Sequence, residues 1–288
     1  TSYTLSNYLK VKDKRIINFS KKRIAIVTGG ASGIGWATAK ALNKKGINVI
    51  VCDNSKSNIE IANQKITKLK NKNINIWNID VTSEIQIKEL FIFIKKEFGH
   101  LNYLVNNAGK DSFCDLSKFS LGKFNQVMMV NTTSVFMMTS KFLPLLRKRK
   151  NSAIVNIGSI HGHQTTSGRS DYVTSKTALI GATRSLALDL AQFGIRVNMV
   201  SPGAIETEML ERGWRKKISE NKSDNYDYEK IKLKANLLHP VGRIGKPKDI
   251  ARAILFLLSK KSKFINGVNL IVDGGIHSKT ILSNIWEK

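Results

Sequence analysis

Tyr172 and Lys176 stand four residues apart in a segment with helical patterning, so both project from one helix face. Ser159 precedes Tyr172 by 13 residues, at the end of an apolar strand, and Asn131 precedes Ser159 by 28. These residue types suit proton transfer at an oxygen. A free tyrosine titrates at about 10, too high for a base at neutral pH. One positive charge at ~5 Å, across an effective dielectric of about 20, favours tyrosinate by ~3 kcal/mol, roughly two pKa units. Lys176 can supply that charge, which makes Tyr172 a candidate general acid/base.

A second group of residues suits phosphate. TGGASGIG (28–35) lies between a strand and a helix. Gly29 and Gly35 permit tight backbone geometry there, and Gly33 lets a pyrophosphate approach the main chain. The helix that begins at Ile34 turns its unpaired N–H groups and positive dipole end toward that phosphate. Asp53 follows Gly35 by 18 residues at the end of the second strand. A carboxylate there binds both hydroxyls of an adenosine ribose and repels a 2′-phosphate, which favours NAD over NADP. Neither Ser32 nor Cys52 offers a positive charge to such a phosphate, although Lys56 is near enough in sequence to reach one.

With NNAG (106–109), Asp80–Val81, YVTSK (172–176), SPGAIET (201–207) and VDGG (272–275), these motifs resemble the short-chain dehydrogenase/reductase family over about residues 20–277. The resemblance implies one Rossmann domain that binds a nicotinamide cofactor and moves hydride to or from a carbonyl carbon. It implies that Lys176 also holds the nicotinamide ribose, that Ser159 donates to the substrate oxygen and that Asn131 helps hold a relay water. It assigns cofactor contacts to Gly29, Ser32, Ile34, Asp80, Val81, Asn107, Ile205 and Thr207. NAD-dependent interconversion of a secondary alcohol and a ketone is the activity expected. Reduction of 3-oxoacyl groups on an acyl-carrier protein and oxidation of a 3-hydroxybutyrate-type acid are the alternatives within enzymes. A non-catalytic nucleotide sensor or polyanion binder is the alternative outside them.

The loop 159–172 joins the serine to the tyrosine and should border the substrate. His161 and Arg169 lie where hydroxybutyrate-oxidising relatives place a His and a basic residue, and an Arg could clamp a carboxylate. Simple loop solvation is the plainer reading of both. Such relatives follow NNAG with a Gln, where this chain has Lys110–Asp111. Trp214 falls in a polar segment, 210–236, with eight basic and five acidic residues, which resembles the family's substrate lid.

The elements that must position these residues read as an α/β, doubly wound parallel sheet. Strands are predicted at 23–29, 47–53, 74–80, 101–109, 152–159, 195–203 and 269–275. Helices are predicted at 36–45, 83–98, 120–148 and from Asp171 to Gly194. Runs such as IAIV are continuously apolar, as in strands buried on both faces. One domain is expected over 21–288, with the lid as an insertion and 1–20 as an N-terminal arm. Relatives pair the equivalents of the 120–148 and 171–193 helices, so a homotetramer or homodimer is expected.

The chain has 288 residues and a formal charge of +26. Such an excess is the usual footprint of a nucleic-acid binder. Yet Lys (36), Ile (33) and Asn (25) are enriched together, and all three have A/T-rich codons. Selection for polyanions has no reason to raise Ile, so the charge is read as codon bias. Two cysteines without CxxC spacing leave no disulfide scaffold or Cys-based zinc site, and no metal is expected. No apolar run approaches a membrane span and no secretory h-region is present, so a cytoplasmic protein acting on a small alcohol or ketone, with an acidic group as one option, is expected.

Overall fold

Strand β1, Ile24–Thr28, is buried along its whole length and feeds two cores at once. Ile24 and Ile26 pack on one face of the sheet with Leu90, Ile94, Phe142 and Leu186. Ala25 and Val27 pack on the other with Ala39, Leu42, Ile254 and Leu257. An alternating strand could line only one such layer, so the continuous apolar run requires helices on both sides.

The computed structural model describes residues 23–69, 73–220 and 227–279. The expected arm at 1–20 lies outside them. In chain order the elements are β1, α1 (Gly33–Lys44), β2 (Asn48–Asp53), α2 (Lys56–Thr67), β3 (Ile74–Asn78), α3 (Glu84–Glu97) and β4 (Tyr103–Asn106). Next come α4 (Leu121–Met128), a π-helical turn at Met129–Thr133, α5 (Ser134–Leu146), β5 (Ala153–Ile157), α6 (Ser170–Ala191) and β6 (Arg196–Pro202). Helices α7 (Glu208–Glu220), α8 (Tyr228–Leu238) and α9 (Pro247–Leu258) precede β7 (Asn269–Val272).

All strand pairs are parallel, in the order β3-β2-β1-β4-β5-β6-β7. Every predicted strand is present in this Rossmann sheet. Several end early, because residues 107–109 and Gly274–Gly275, the latter pair at φ +67° and +87°, leave the extended region or the ladder. The single predicted helix at 120–148 is α4, the π turn and α5 in continuous succession, and the 210–236 insertion is helical on both sides of the undescribed residues 221–226. The direction of winding reverses between β1 and β4, which opens a crevice at their carboxyl ends. Among the described residues no helix is long and apolar enough to cross a membrane.

Candidate active site

The Gly-rich turn sits at the β1 side of that crevice. Gly29 and Gly33 adopt φ of +58° and +50°, the left-handed region that favours glycine. A Cβ on Gly35 would lie 2.2 Å from the Gly29 carbonyl oxygen and 2.6 Å from Asn107 Nδ2. Gly35 is therefore required for the close packing of α1 against the turn and Asn107. Ser32 occupies the N-cap of α1 in extended conformation without capping it, so the first N–H groups of the helix are left for a ligand. Its hydroxyl accepts from Asn58 Nδ2 at 3.3 Å, while Ile34 packs against the β1 core.

Asp53 is buried at the end of β2 and accepts from the N–H groups of Ala31 (3.0 Å) and Ser55 (3.1 Å). Its carboxylate thus braces the Gly-rich turn. Burial, with Asp53 next to it, pushes the Cys52 thiol far up, so no competing thiolate arises there. Asp80 accepts from the N–H and hydroxyl of Thr82, at 2.8 and 2.7 Å, and Val81 is buried beside it. Ile205 is buried and bridges to Gly245. The Thr207 methyl comes within 3.2 Å of where a Gly33 Cβ would be, which brings the SPGAIET segment onto the turn.

Asn107 is a bolt between the two strands of the crevice. Its Nδ2 donates to the carbonyls of Thr28 and Gly29, both at 2.9 Å. Thr28 Oγ1 accepts from the N–H groups of Asn107 and Ala108, both at 3.0 Å, and donates to the Val105 carbonyl. The Nδ2 group of Asn107 is thereby committed to holding β4 against the turn. Thr28 is a positioning residue that the sequence reading did not single out.

The four candidate catalytic side chains converge at the carboxyl ends of β4 and β5. Asn131 lies in the π-helical turn, which rotates it out of α-helical register toward β4. Its Oδ1 accepts from Lys110 N at 2.7 Å, and its Nδ2 donates to the Lys110 carbonyl (3.0 Å) and to Ser175 Oγ (2.9 Å). Ser175 Oγ in turn donates to the Tyr172 carbonyl at 2.7 Å. Both amide hydrogens of Asn131 are spent as a clamp between the post-NNAG loop and α6. A relay water would have to use its remaining acceptors.

The Ser159 hydroxyl, which accepts from His161 N at 3.2 Å, stands near enough to the Tyr172 phenol to act on its proton. Lys176 Nζ is buried, donates to the Ile157 carbonyl at 2.9 Å and lies 5.8 Å from the Tyr172 ring centre. The expected drop in the Tyr172 pKa is reversed. Burial pushes the phenol up to about 12, the Ser159 hydrogen bond opposes this, Asp111 adds to the rise and Arg169 opposes it. Burial also pulls Lys176 down to about 8, with Asp111 opposing. Desolvation therefore outweighs the Coulomb gain on which the sequence argument rested.

Arg169 does not present an open fork. Its Nη1 donates to Asp111 Oδ1 at 2.5 Å, and its guanidinium lies 4.3 Å from the Phe113 ring centre and 5.7 Å from that of Tyr172. Ser112 Oγ donates to Asp171 Oδ2 at 2.5 Å, Asp171 Oδ1 accepts from Tyr172 N at 2.7 Å, and Cys114 N donates to the Gly168 carbonyl at 2.8 Å. The post-NNAG loop is thus strapped to the start of α6. Asp111 was visible in the sequence as a departure, but nothing there indicated its partner. His161 packs edge-on to Tyr172, with ring centres 6.1 Å apart.

Helix α7 roofs a cleft of about 510 Å³ whose lining includes Asp80, Gly109, Asp111, Phe113, Met209, Arg212, Gly213 and Lys216. Trp214 is not part of that lining. Its ring meets Tyr228 of α8 at 5.9 Å, joining the two helices of the insertion.

Comparison with known proteins places this geometry in company. The family model described as enoyl-(acyl carrier protein) reductase matches residues 29–277. The 3-oxoacyl-[acyl-carrier-protein] reductase of Thermotoga maritima is 35% identical over 88% of this chain and 97% of its own. Its Escherichia coli counterpart is 33% identical over 91% and 99%. Among solved structures, Thermoplasma acidophilum aldohexose dehydrogenase superposes with a TM-score of 0.80 at 33% identity, covering 90% of this chain and 96% of that one. Actinorhodin polyketide ketoreductase, solved with NADPH, gives 0.83 at 28%, covering 90% and 99%.

Proposed function

The chain belongs to the short-chain dehydrogenase/reductase family, NAD(P)-dependent oxidoreductases of CH–OH and keto groups, and from that premise we propose that it reduces the 3-oxo group of an acyl thioester. The observation that carries this reading is the grouping of the buried Tyr172 phenol, raised by burial and so protonated at neutral pH, with the Ser159 hydroxyl and with Lys176; the names of the relatives supply the reducing direction. Ser159 and Tyr172 would bind the carbonyl oxygen together, and Tyr172 would pass it a proton as charge develops. The nicotinamide supplies hydride to the carbonyl carbon when bound. Lys176, 5.8 Å from the ring, would stabilise the tyrosinate left behind. Asn131 would hold the loop and α6 in register through Lys110 and Ser175. The names of the relatives favour a carrier-linked acyl group, and Arg212 and Lys216 along the cleft suit an acidic carrier.

The residues present fit the dinucleotide: the turn is folded on glycines at positive φ, and the uncapped α1 N-terminus stands at its end. Asp53 favours NAD(H), because a 2′-phosphate would meet its buried carboxylate. Helices α7 and α8 would act as the substrate lid. Exposed Phe136 and Leu188, on α5 and α6, would be covered in a homodimer or homotetramer.

The test is consumption of NADH or NADPH with a 3-oxobutanoyl thioester. Turnover with kcat/KM at least about 10-fold higher for NADH is expected. Preference for NADPH would overturn the Asp53 argument. Inertness toward the thioester, with secondary alcohols oxidised readily, would overturn the direction and substrate class.

A further inference from the structure

The ion pair beside Tyr172 is the least explained feature of the substrate half. An Arg near a reacting carbonyl ordinarily invites an acidic substrate, since a guanidinium binds a carboxylate through two parallel hydrogen bonds. Here a carboxylate from the chain itself already stands there. Arg169 and Asp111 are 17% and 21% exposed, and Asp111 lines the cleft with Arg169 as its partner, so neither is merely a solvated surface charge. Among the described residues Asp111 is the only carboxylate paired with Arg169.

The pair is held from three sides. Phe113 stacks under the guanidinium at 4.3 Å. Asp111 Oδ1 also accepts from Ser112 N at 3.0 Å, which fixes the carboxylate on its own loop. From above, α7 comes so close at Gly213 that a Cβ there would lie 3.2 Å from Asp111 Oδ2 and 4.0 Å from Arg169 Nη2. The lid helix rests on the pair through a residue without a side chain. A second carboxylate entering this space would face Asp111 at hydrogen-bonding range and would have to displace it.

We propose that Asp111 is a specificity-determining residue that occupies Arg169 and so excludes substrates carrying a free carboxylate next to the reacting carbonyl, leaving the site to neutral ones such as thioesters. This rests on the substrate class proposed above and sharpens it. Asp111 needs no contact with the reacting atoms; it acts by removing from the site a cation that would otherwise recruit an acid.

The experiment compares 3-oxobutanoate with its methyl ester, in the holoenzyme, for the native chain and for Asp111→Asn, Asp111→Glu and the double variant Asp111→Asn/Arg169→Gln. The quantity read is the ratio of kcat/KM for acid over ester, which a general loss of packing would not move in one direction. Asp111→Asn should raise the ratio about 10-fold or more, the value of a charge-assisted hydrogen bond gained. Asp111→Glu should restore exclusion, and the double variant should abolish the gain. Equal use of acid and ester by the native enzyme would overturn the inference while leaving the reductase reading intact. So would an unchanged ratio in Asp111→Asn. If the native enzyme reduces neither compound nor the 3-oxobutanoyl thioester, the substrate class falls instead. Whenever neither compound is reduced, Asp111 is judged by thermal stabilisation of the holoenzyme with butanoate. Stronger stabilisation of Asp111→Asn than of the native chain supports exclusion, and equal stabilisation overturns it.

Discussion

On the β1–β3 side of the crevice, shape is set by atoms that are missing; on the β4–β6 side, it is set by side chains that answer one another. Gly29, Gly33 and Gly35 leave a cradle because no Cβ intrudes, and a Cβ at Gly35 would collide with main chain at 2.2 Å. The catalytic side has the opposite character. Asn131, Ser175 and the carbonyls of Lys110 and Tyr172 form one chain of hydrogen bonds. Asp111 with Arg169, and Ser112 with Asp171, form a second link beside it. A steric requirement admits one residue type and so leaves a motif. A network leaves only scattered polar residues whose partners are fixed by the fold.

The sharpest test of that contrast removes one oxygen. Tyr172→Phe keeps the ring against His161 and the α6 packing but deletes the proton donor. Turnover should fall about a thousandfold, while the dissociation constant of NADH, read by fluorescence titration, stays within a few-fold of the native value. Retained turnover would remove Tyr172 from the chemistry. Loss of cofactor binding in step with turnover would mean that the two halves are not separable as described.

Adding one methyl tests the other half. Gly35→Ala forces the Gly29 carbonyl or Asn107 to move, and the expected result is cofactor binding weakened about a hundredfold in a chain that still folds by circular dichroism. Gly181→Ala on α6 is the control, because its Cβ would meet nothing within 4 Å. If both alanines bind cofactor normally, the cradle is less exacting than the geometry says.

The same contrast governs what could be read before any coordinates. The buried character of the central strands follows from continuous apolar runs, whereas β3 alternates and β7 is half-buried at the other edge of the sheet; the Gly-rich turn and YVTSK are local signals. Helix α2 carries a weak signal, Ile59, Ala62 and Ile66 at helical spacing among polar residues, and only Ala62 of these is fully buried. Helix α9 shows one apolar face, but its AILFLL run reads first as a short hydrophobic stretch. The π turn at Asn131 is invisible to periodicity, since one added residue per turn depends on packing against β4 and α6. Asn107 was legible as a motif but not as a bolt. The direction of the Tyr172 shift was misjudged for a related reason: a charge at a guessed distance can be drawn from sequence, whereas the cost of burying a phenol cannot.

That misjudged balance yields the smallest and most specific effect. Lys176 is brought down to about 8 by burial, with Asp111 resisting, while Tyr172 stays near 12. Below pH 8 the ammonium is present to stabilise the tyrosinate formed on proton donation; above it that help is lost. The kcat/KM for the reduced cofactor, which reports the free enzyme, should therefore decline about tenfold per pH unit above an apparent pKa near 8. Stability should move the other way over the same range. A free lysine titrates near about 10.4, so between about 8 and that value the unfolded chain binds more protons at this site than the folded one, and this group makes folding more favourable as pH rises. Tyr172, raised in the folded state, reverses the sign only between about 10 and 12. A rate that declines while this contribution to stability grows separates titration of Lys176 from alkaline unfolding. A profile flat from pH 7 to 9, or an identical alkaline limb in the residual activity of Lys176→Met, would show that the buried lysine does not set the proton balance of the catalytic half.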